Sequence, residues 1–419
     1  VEGGNSPIEI RIVGGAGNDQ FINYGKGGKI RVYDVSFEKN RFIGNPGLTN
    51  RISKDPQVNV YDRLNFQYDY IKPGIALAYN IDDGLFVGPK IELITQGFRK
   101  DPYSTRQYLV GEVALKTKAY HFIYNADYIH VFSHYDIVVR SDLRGPDYVN
   151  NFFGIGNNTV KDENKPNFVR YYQSRYNYFN ASAYIRRQLQ SWMRINFGPA
   201  FQLYKADSLD NAGHYINTYS TDPEHSDIYK RRVYGGIDAR LDINSKNNDM
   251  IPTRGATLDA GIRSLFLLNG PGKNVTQMNI DLRIFMSLAN HKRLVLATRF
   301  GWGHNIGHYD IPQAQYLGGN DNLRGFRKQR FGGRSMLFNN TELRIKLADF
   351  KTYLFPGSFG MQVFNDIGRV FADQTSYTWH DGYGIGIWIA PIKRYVFTFS
   401  LAHSIEEKAL PRVTFGFEF

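Results

Sequence analysis

The last eight residues of the chain, Arg412–Phe419, read RVTFGFEF. Every odd-numbered position in this stretch carries Val or Phe, and every even-numbered position carries a polar residue or glycine. Because successive side chains of a β-strand point to opposite faces, this period of two gathers the aromatic rings on one face. We therefore predict a lipid-exposed strand here, whose outer face is formed by Val413, Phe415, Phe417 and Phe419.

The same alternation recurs upstream, and polar residues repeatedly occupy the second face. In one predicted strand, Ile280 and Leu282 lie on one face, whereas Asp281 and Arg283 lie on the other. Charged residues on the second face of many strands would be out of place in a dry sandwich core, but they suit a water-filled lumen. The predicted fold class is all-β: a transmembrane antiparallel β-barrel of about 16 strands with a short N-terminal β-rich extension. The predicted strands lie near 61–70, 74–82, 85–98, 106–117, 120–132, 168–188, 191–205, 228–244, 255–268, 274–289, 293–303, 335–348, 358–371, 382–391, 394–403 and 411–419.

The composition agrees with a barrel. Aromatic residues make up 15% of the chain, enough to supply girdles at both membrane interfaces. No run of eighteen apolar residues occurs, so no transmembrane helix is predicted. Cysteine is absent, which excludes disulfides, thiolate catalysis and Cys-ligated metals. The formal charge of +12 is spread singly over the strands without a block of six basic residues, which argues against nucleic acid as a partner.

The predicted connections differ in length on the two sides of the sheet. The long connections 133–167, 206–227 and 304–334 all follow odd-numbered strands, whereas the clearest short turns follow even-numbered ones. Long outer loops and short inner turns are typical of outer-membrane barrels, and a soluble sandwich has no reason to sort its loops in this way. The alternative of a soluble all-β protein such as a propeller lacks the expected repeat near forty residues.

Residues 1–60 do not resemble barrel strands, and they are assigned as an N-terminal extension, the stub of a larger domain. Residues 14–22, GGAGNDQFI, fit the calcium-binding nonapeptide G-G-x-G-x-D-x-U-x once. Neighbouring copies share each ion in such arrays, so no metal site is predicted, and Asp19 is the only candidate ligand. Residues 45–56 are predicted to be a linker. Residues 1–6 lack the pattern of a signal peptide, which indicates a processed form or a piece of a longer chain.

The connection between predicted strands eleven and twelve contains the most specific motif of the chain, YLGGNDNLRGF at residues 316–326. It resembles the G-G-…-[VL]-R-G-[FY] motif in the sixth outer loop of the BamA/TamA-like bacterial surface antigen superfamily. The strand count places the segment in the sixth outer loop without use of the motif. Less specific matches are PTRG at 252–255, FGIGN at 153–157, DIG at 366–368 and the terminal Phe419. The resemblance covers residues 61–419, the predicted barrel.

In that superfamily the sixth outer loop folds back into the lumen, and its Arg pairs with acidic residues on the barrel wall. The resemblance therefore implies that loop 304–334 folds inward and is held by Arg324. Strand parity independently directs Glu342 and Asp366 into the lumen on adjacent strands, where two carboxylates suit the planar fork of a guanidinium. The predicted residues of this loop lock are Leu323, Arg324, Gly325, Phe326, Glu342 and Asp366. The predicted C-terminal assembly signal is formed by Phe415, Phe417 and Phe419.

Members of the superfamily insert barrel proteins into the outer membrane of Gram-negative-type bacteria or move a polypeptide across it. The resemblance implies the same location and function, with a weak seam between strands one and sixteen as the opening. Implied partners are unfolded outer-membrane or exported polypeptides, outer-membrane lipid or lipopolysaccharide, and periplasmic proteins or lipoproteins. The edge composition of 61–70, which Lys72-Pro73 is predicted to end, agrees with such a seam.

Two alternatives remain open from the sequence. The insertases of the superfamily carry periplasmic POTRA domains before the barrel, and residues 1–60 are too short for one. The barrel could instead anchor or export a fused N-terminal domain, such as a hydrolase, or act as a plugged porin. No catalytic residue and no cofactor are predicted, because the candidates His134, Asp136, His403 and Ser404 belong to neither G-x-S-x-G nor H-E-x-x-H.

Overall fold

The computed structural model describes most of the chain in two compact units, Val1–Tyr68 and Asp69–Phe419. This division was predicted after residue 60 and lies after Tyr68. The described residues are 9–24, 29–44, 48–61, 67–80, 84–98, 100–132, 134–146, 148–159, 161–165, 167–222, 225–288, 293–372, 377–392, 395–417 and 419.

The N-terminal unit is built from five short strands that pair in parallel. These are β1 Glu9–Val13, β2 Gln20–Ile22, β3 Lys29–Tyr33, β4 Arg41–Ile43 and β5 Leu48–Asn50, followed by a 3-10 turn at Pro56–Asn59. β1 pairs with β3 and β3 with β5, while β2 pairs with β4. The chain winds so that β1–β2 forms a first coil and β3–β4 a second one, stacked on it. Each of these coils adds one strand to each of two parallel sheets. Phe21, Ile30 and Val32 form the buried core between them.

The second unit is an antiparallel sheet of sixteen long strands, in agreement with the predicted fold class. Its first half comprises β6 Tyr70–Asn80, β7 Gly84–Gly97, β8 Lys100–Ala114, β9 Tyr120–Phe132, β10 Tyr135–Gly145, the short β11 Val149–Asn151, β12 Gln173–Gln190, β13 Met193–Ala206 and β14 Arg232–Asn244. Its second half comprises β15 Gly255–Leu267, β16 Val275–Ser287, β17 Leu294–Gly307, β20 Ser335–Lys351, β21 Pro356–Phe371, β22 His380–Pro391, β23 Phe397–Ser404 and β24 Leu410–Phe415.

The remaining elements lie in the three long connections. Helices α1 Phe168–Tyr171 and α2 Tyr215–Tyr219 occupy two of them. The third carries a 3-10 turn at Ile311–Gln313 and the paired strands β18 Gln315–Leu317 and β19 Phe331–Gly333. Within the described ranges, no helix is long and apolar enough to cross a membrane.

Two parts of the strand prediction differ from the structure. The predicted strand end at Lys72-Pro73 is wrong, because Pro73 lies within β6 Tyr70–Asn80; the strand predicted at 61–70 falls largely on residues 62–66, which lie outside the described residues. The predicted loop 133–167 instead begins with β10. β10 shows the same alternation as the predicted strands, and its charged residues face inward, where Arg140 pairs with Asp127 of β9 at 2.8 Å.

The two faces of the large sheet differ in polarity as an outer-membrane barrel requires. Ile280, Phe300 and Ile385 are exposed on the outer face. On the inner face, cross-strand ion pairs join neighbouring strands, such as Arg299 Nε to Asp281 Oδ2 at 2.8 Å. These ion pairs confirm the prediction that charged residues share the second face of the strands.

The first and last strands of this sheet leave a seam. β24 and β6 are neighbours in the strand order, but in the part of the chain that the structure describes β6 forms its ladder with β7 and β24 with β23, and no ladder of comparable length joins β6 to β24. The ladder between β23 and β24 is short and runs from Phe397↔Phe415 to Ala402↔Leu410. Both seam strands contain a proline, Pro73 and Pro411, which lacks the N–H that a further ladder would use.

The predicted outer face of the last strand was wrong beyond Phe415. Phe415 is exposed, but β24 ends there, and Gly416 adopts a positive φ of 104° that interrupts the alternation. Phe419 is buried on the inner side against Phe285 and Ala297. The ring of Phe417 lies 4.1 Å from the guanidinium carbon of Arg344, an inward-facing residue of β20. Glycine makes this reversal possible because it tolerates positive φ at little cost.

Candidate functional site

The long connection between β17 and β20 lies against the inner face of the sheet. Leu317, Leu323, Phe326 and Phe331 of this loop are fully buried and pack against Phe338 and Val370 of the wall in one apolar cluster. Opposite strands also contact the loop. Gln202 of β13 accepts a hydrogen bond from Gln313 at 2.9 Å, and the main-chain N–H of Asn151 in β11 donates to Gln329 at 3.2 Å. The sheet is thus wound around this segment, which fills part of the lumen.

Arg324 is the centre of the polar contacts beneath the loop. Its main-chain N–H donates to Asp366 Oδ2 at 2.9 Å, and its side chain donates to the same carboxylate through Nε at 2.7 Å and Nη2 at 2.6 Å. Nη1 of Arg324 donates to Glu342. The guanidinium carbon also lies 3.7 Å from the centroid of the Phe364 ring. A fully buried guanidinium is thus paired on two sides and stacked on an aromatic face, which offsets its loss of hydration.

The wall supplies both carboxylates from adjacent strands, as parity indicated. Glu342 lies on β20 and Asp366 on β21, and both are fully buried. Glu342 has a second cation beside it, because Arg344 Nε donates to Glu342 Oε2 at 2.7 Å. Arg344 in turn donates to the main-chain oxygen of Phe419 at 2.7 Å. The loop, the wall and the last residue of the chain therefore share one network of charges.

Glycine at position 325 lets the loop touch the wall. A Cβ at Gly325 would lie 2.7 Å from the Cα of Gly382 in β22 and 2.7 Å from the carbonyl oxygen of His403 in β23. Neither contact is compatible with a side chain, because both partners are main-chain atoms. Phe326 then turns into the apolar cluster, where its ring meets Phe331 at 5.3 Å between centroids. Within the motif, Arg324 thus forms the ion pairs, Gly325 allows the close approach to the wall, and Phe326 packs in the apolar cluster.

Two residues of the last strands hold the loop although the sequence analysis gave them no such task. Arg412 of β24 donates to the carbonyl oxygen of Phe326 at 2.8 Å and also to that of Arg324. Ser404 of β23 donates its hydroxyl to the carbonyl oxygen of Gly325 at 3.0 Å. Ser404 was considered as a nucleophile, and its hydroxyl instead binds the loop. No sequence pattern marks either contact, since both reach main-chain carbonyls far away in the chain.

The FGIGN stretch of the third outer loop is a further contact of the same loop. Asn157 donates to the carbonyl oxygen of Val370 at 2.8 Å and accepts from the Val370 N–H at 3.0 Å, so its amide continues the ladder of β21. Gly156 bridges to Gly332 of β19. Arg330 donates to the Thr159 carbonyl oxygen at 2.7 Å. The third and sixth outer loops therefore form one layer over the apolar cluster.

The outer end of this layer contains a buried carboxyl group. Glu407, in the turn between β23 and β24, is 4% exposed, and its Oε1 lies 3.3 Å from Nε of Arg330. Burial raises the pKa of Glu407 above its ordinary value. The group lies in the turn between β23 and β24, outside the membrane-spanning strands.

Two other residues considered in the sequence analysis lie elsewhere. Asp136 is bound to Arg186 at 2.9 Å on the inner wall, and Asp19 lies in the N-terminal unit before β2. Among the described residues, no three His, Asp or Glu side chains are grouped in a way that could hold a metal ion. The candidate site is therefore the loop with its wall contacts and the adjoining seam.

Comparison with known proteins agrees with this geometry. The family model of the Omp85 superfamily domain matches residues 14–419, which confirms the resemblance drawn from the loop motif. The match begins before Tyr61, where the resemblance was placed from the sequence. No curated protein sequence matches the chain.

Solved structures show the same fold. BamA from Haemophilus ducreyi lacking POTRA domains 1–3 has a TM-score of 0.60 and 14% sequence identity, over 88% of this chain and 72% of that chain. CdiB from Escherichia coli has a TM-score of 0.54 and 10% identity, over 88% of this chain and 64% of that chain. At such low identity the likeness concerns the fold alone.

Proposed function

Because the chain belongs to the Omp85 superfamily, we propose that its barrel inserts polypeptides into the outer membrane or moves them across it through the seam between β6 and β24. The protein is an outer-membrane β-barrel of Gram-negative type. The observation that carries the proposal is this seam, at which no long ladder of the described residues joins β6 to β24. Edge strands present main-chain N–H and C=O groups that another extended chain can pair with.

The two strands at the seam, β6 and β24, differ in how they are attached to the rest of the barrel. β24 is attached to the inward-folded loop through Arg412 and to β23 through a short ladder. β6 pairs with β7 along its whole length, and its outward side chains Ile71, Ile75 and Leu77 are strongly exposed. We therefore assign β6 as the edge that receives an incoming strand, while the loop fixes β24. Separation of the edges then exposes the lumen to lipid at one place only.

The partners follow from this mechanism. An incoming client is an unfolded outer-membrane or exported polypeptide, because only an extended chain pairs with a strand edge. The apolar outer face binds outer-membrane lipid or lipopolysaccharide. Periplasmic proteins or lipoproteins are proposed to deliver the client to the inner end of the seam, where the short turns of the barrel lie.

Photo-crosslinking at the seam tests the proposal. p-Benzoylphenylalanine is placed at Leu77 of β6 or Val413 of β24, and at Ile280 of β16 as a lipid-facing control; all three side chains are exposed. We expect polypeptide adducts at both seam positions that disappear when protein export is blocked, and none at Ile280. Equal adduct yields at all three positions would contradict a lateral gate.

A second function is favoured by the compact N-terminal unit. The barrel could anchor or export a domain to which Val1–Tyr68 belongs. A cysteine in place of exposed Ser36, in a chain that has no other cysteine, tests this with a membrane-impermeant maleimide on intact cells. Labelling on intact cells would support display, and protection until the outer membrane is permeabilised would favour insertion. A plugged porin is the third choice, and the loop that fills part of the lumen argues against high conductance.

A further inference from the structure

We propose that the N-terminal unit binds one calcium ion between Asp19 and Asp34, which lie on successive coils of its parallel strands. Asp19 ends the Gly-rich turn between β1 and β2, and Asp34 directly follows β3. β1 and β3 pair in parallel with Val13 opposite Tyr33, so the turn that begins at Gly14 lies beside Asp34. Stacking of the coils therefore brings together two carboxylates that are distant in sequence.

Both carboxylates direct an oxygen at the same point. A Cβ at Gly14 would overlap Oδ2 of Asp19 and Oδ2 of Asp34, so these oxygens are at most about 5 Å apart. Asp34 is fully buried, and Val35 N–H donates to its other oxygen at 2.7 Å. Among the described residues, neither Oδ2 atom accepts a hydrogen bond, although both are shielded from solvent. Two facing buried carboxylate oxygens without donors are strongly disfavoured unless a cation or a proton lies between them.

The surrounding turn is held in a fixed shape by the next coil. The Asp19 N–H donates to Asn40 Oδ1 at 2.8 Å, and the Gly17 N–H donates to Glu38 Oε1 at 3.1 Å. Asn59 donates to the other oxygen of Glu38 at 3.3 Å. Asn59 also donates to the carbonyl oxygen of Gly15, so three side chains of later coils orient the main chain of the Gly-rich turn.

Calcium is the cation that fits these groups. The donors are all oxygens, and two carboxylates bridged at the Ca–O distance of about 2.3–2.6 Å would lie up to roughly 5 Å apart. Ca²⁺ completes its six to eight ligands with main-chain carbonyls and water, whereas Mg²⁺ requires a stricter octahedron. In nonapeptide repeats the Gly-rich turn supplies such carbonyls. Asp34 does not belong to a second copy of the nonapeptide, so the sequence pattern alone could not reveal a partner for Asp19.

Equilibrium dialysis of the full chain in detergent against Ca²⁺ after chelator treatment tests the proposal. We expect one specific ion per chain, with a Kd on the order of 10⁻⁴–10⁻³ M or tighter, and no displacement by equal Mg²⁺. Asp34→Asn and Asp19→Asn should each weaken binding on the order of tenfold to a hundredfold. Asp55→Asn, an exposed carboxylate of the same unit, is the control and should leave binding unchanged.

Limited trypsin digestion provides a second readout. The N-terminal unit contains Arg31, Lys39 and Arg41 in or between its strands, and Ca²⁺ should slow cleavage there in the native chain and in Asp55→Asn. If Asp34→Asn does not fold, the Ca²⁺ affinity of Asp19→Asn decides the test, since the Asp19 side chain is only partly buried. Absence of Ca²⁺ binding up to millimolar concentration, or binding that both variants retain unchanged, would overturn the proposal; the two carboxylates would then share a proton.

Discussion

Arg324 and Asp366 are joined by three hydrogen bonds, one from the main chain and two from the guanidinium, at 2.6–2.9 Å. The main-chain bond fixes the position of the loop backbone, and the two side-chain bonds fix its orientation. Since Asp366 belongs to β21, the loop cannot leave the wall without exposing or orphaning a buried charge. We therefore regard this contact as the lock that holds the sixth outer loop in the lumen.

Removal of the lock should release the loop. Arg324→Ala leaves Asp366 buried without its cation, and loss of one partner of a buried pair costs about 3–5 kcal/mol. We expect trypsin to cleave at Arg327 and Lys328, and the heat-modifiable band on gels to unfold at lower temperature. Arg324→Lys should restore only part of the protection, because an ammonium cannot form the planar fork. Arg231→Ala, at an exposed position, is the control, and equal protease resistance of the two variants would show that Arg324 does not hold the loop.

Gly325 should tolerate no side chain. In Gly325→Ala the added Cβ would meet main-chain atoms of Gly382 and His403 at 2.7 Å, so the loop must shift away from β22 and β23. Protease sensitivity of the loop should rise toward that of Arg324→Ala. Gly261→Ala on β15 is the matched control, because its Cβ would meet only ordinary contacts at 3.7 Å. Equal resistance of both variants would contradict the close approach.

Arg412 should couple the last strand to the loop. Arg412→Gln loses charge-assisted hydrogen bonds to two loop carbonyl groups, each worth on the order of 1.5–3 kcal/mol. We expect faster amide hydrogen exchange in both 410–415 and 316–326, whereas Arg231→Gln should change neither. An increase confined to 410–415 would show that β24 and the loop move independently.

Glu407 should make the stability of the layer formed by the third and sixth outer loops depend on pH. Its pKa is raised in the folded protein by burial, so its stabilising effect is full below the ordinary carboxyl pKa of about 4 and is lost as pH rises through the raised value. Protease cleavage of the loop should therefore increase over that range in the native chain, and this increase should be smaller in Glu407→Gln. If Glu407→Gln instead weakens the loop at neutral pH, the ion pair with Arg330 dominates over burial.

Strand alternation was sufficient to predict the inward faces of β20 and β21, and hence the meeting of Glu342 and Asp366 below the loop. Alternation could not reveal Arg412, Ser404 or Asn157, because each binds a main-chain carbonyl that carries no side-chain signal. Alternation also gave the wrong face after Phe415, because Gly416, with its positive φ, turns Phe419 to the inner side of the sheet.

β10 is a different case. Residues 135–145 alternate between apolar and charged side chains as the predicted strands do, so this strand was predictable from the sequence although it was assigned to a long connection. In the N-terminal unit, parallel stacking places Asp34 beside the nonapeptide turn, a long-range relation that no local pattern contains.

The most direct test of the central claim is a disulfide across the seam. Cysteine pairs are scanned between residues 71–77 of β6 and 410–415 of β24, in a chain without other cysteines; a pair at Ile262 and Met278, opposite each other on β15 and β16, is the control. We expect oxidation of the seam pair to stop growth and client assembly in cells that depend on this protein, reduction to restore both, and the control to have no effect. Undiminished growth and assembly with a fully oxidised seam would contradict the lateral gate.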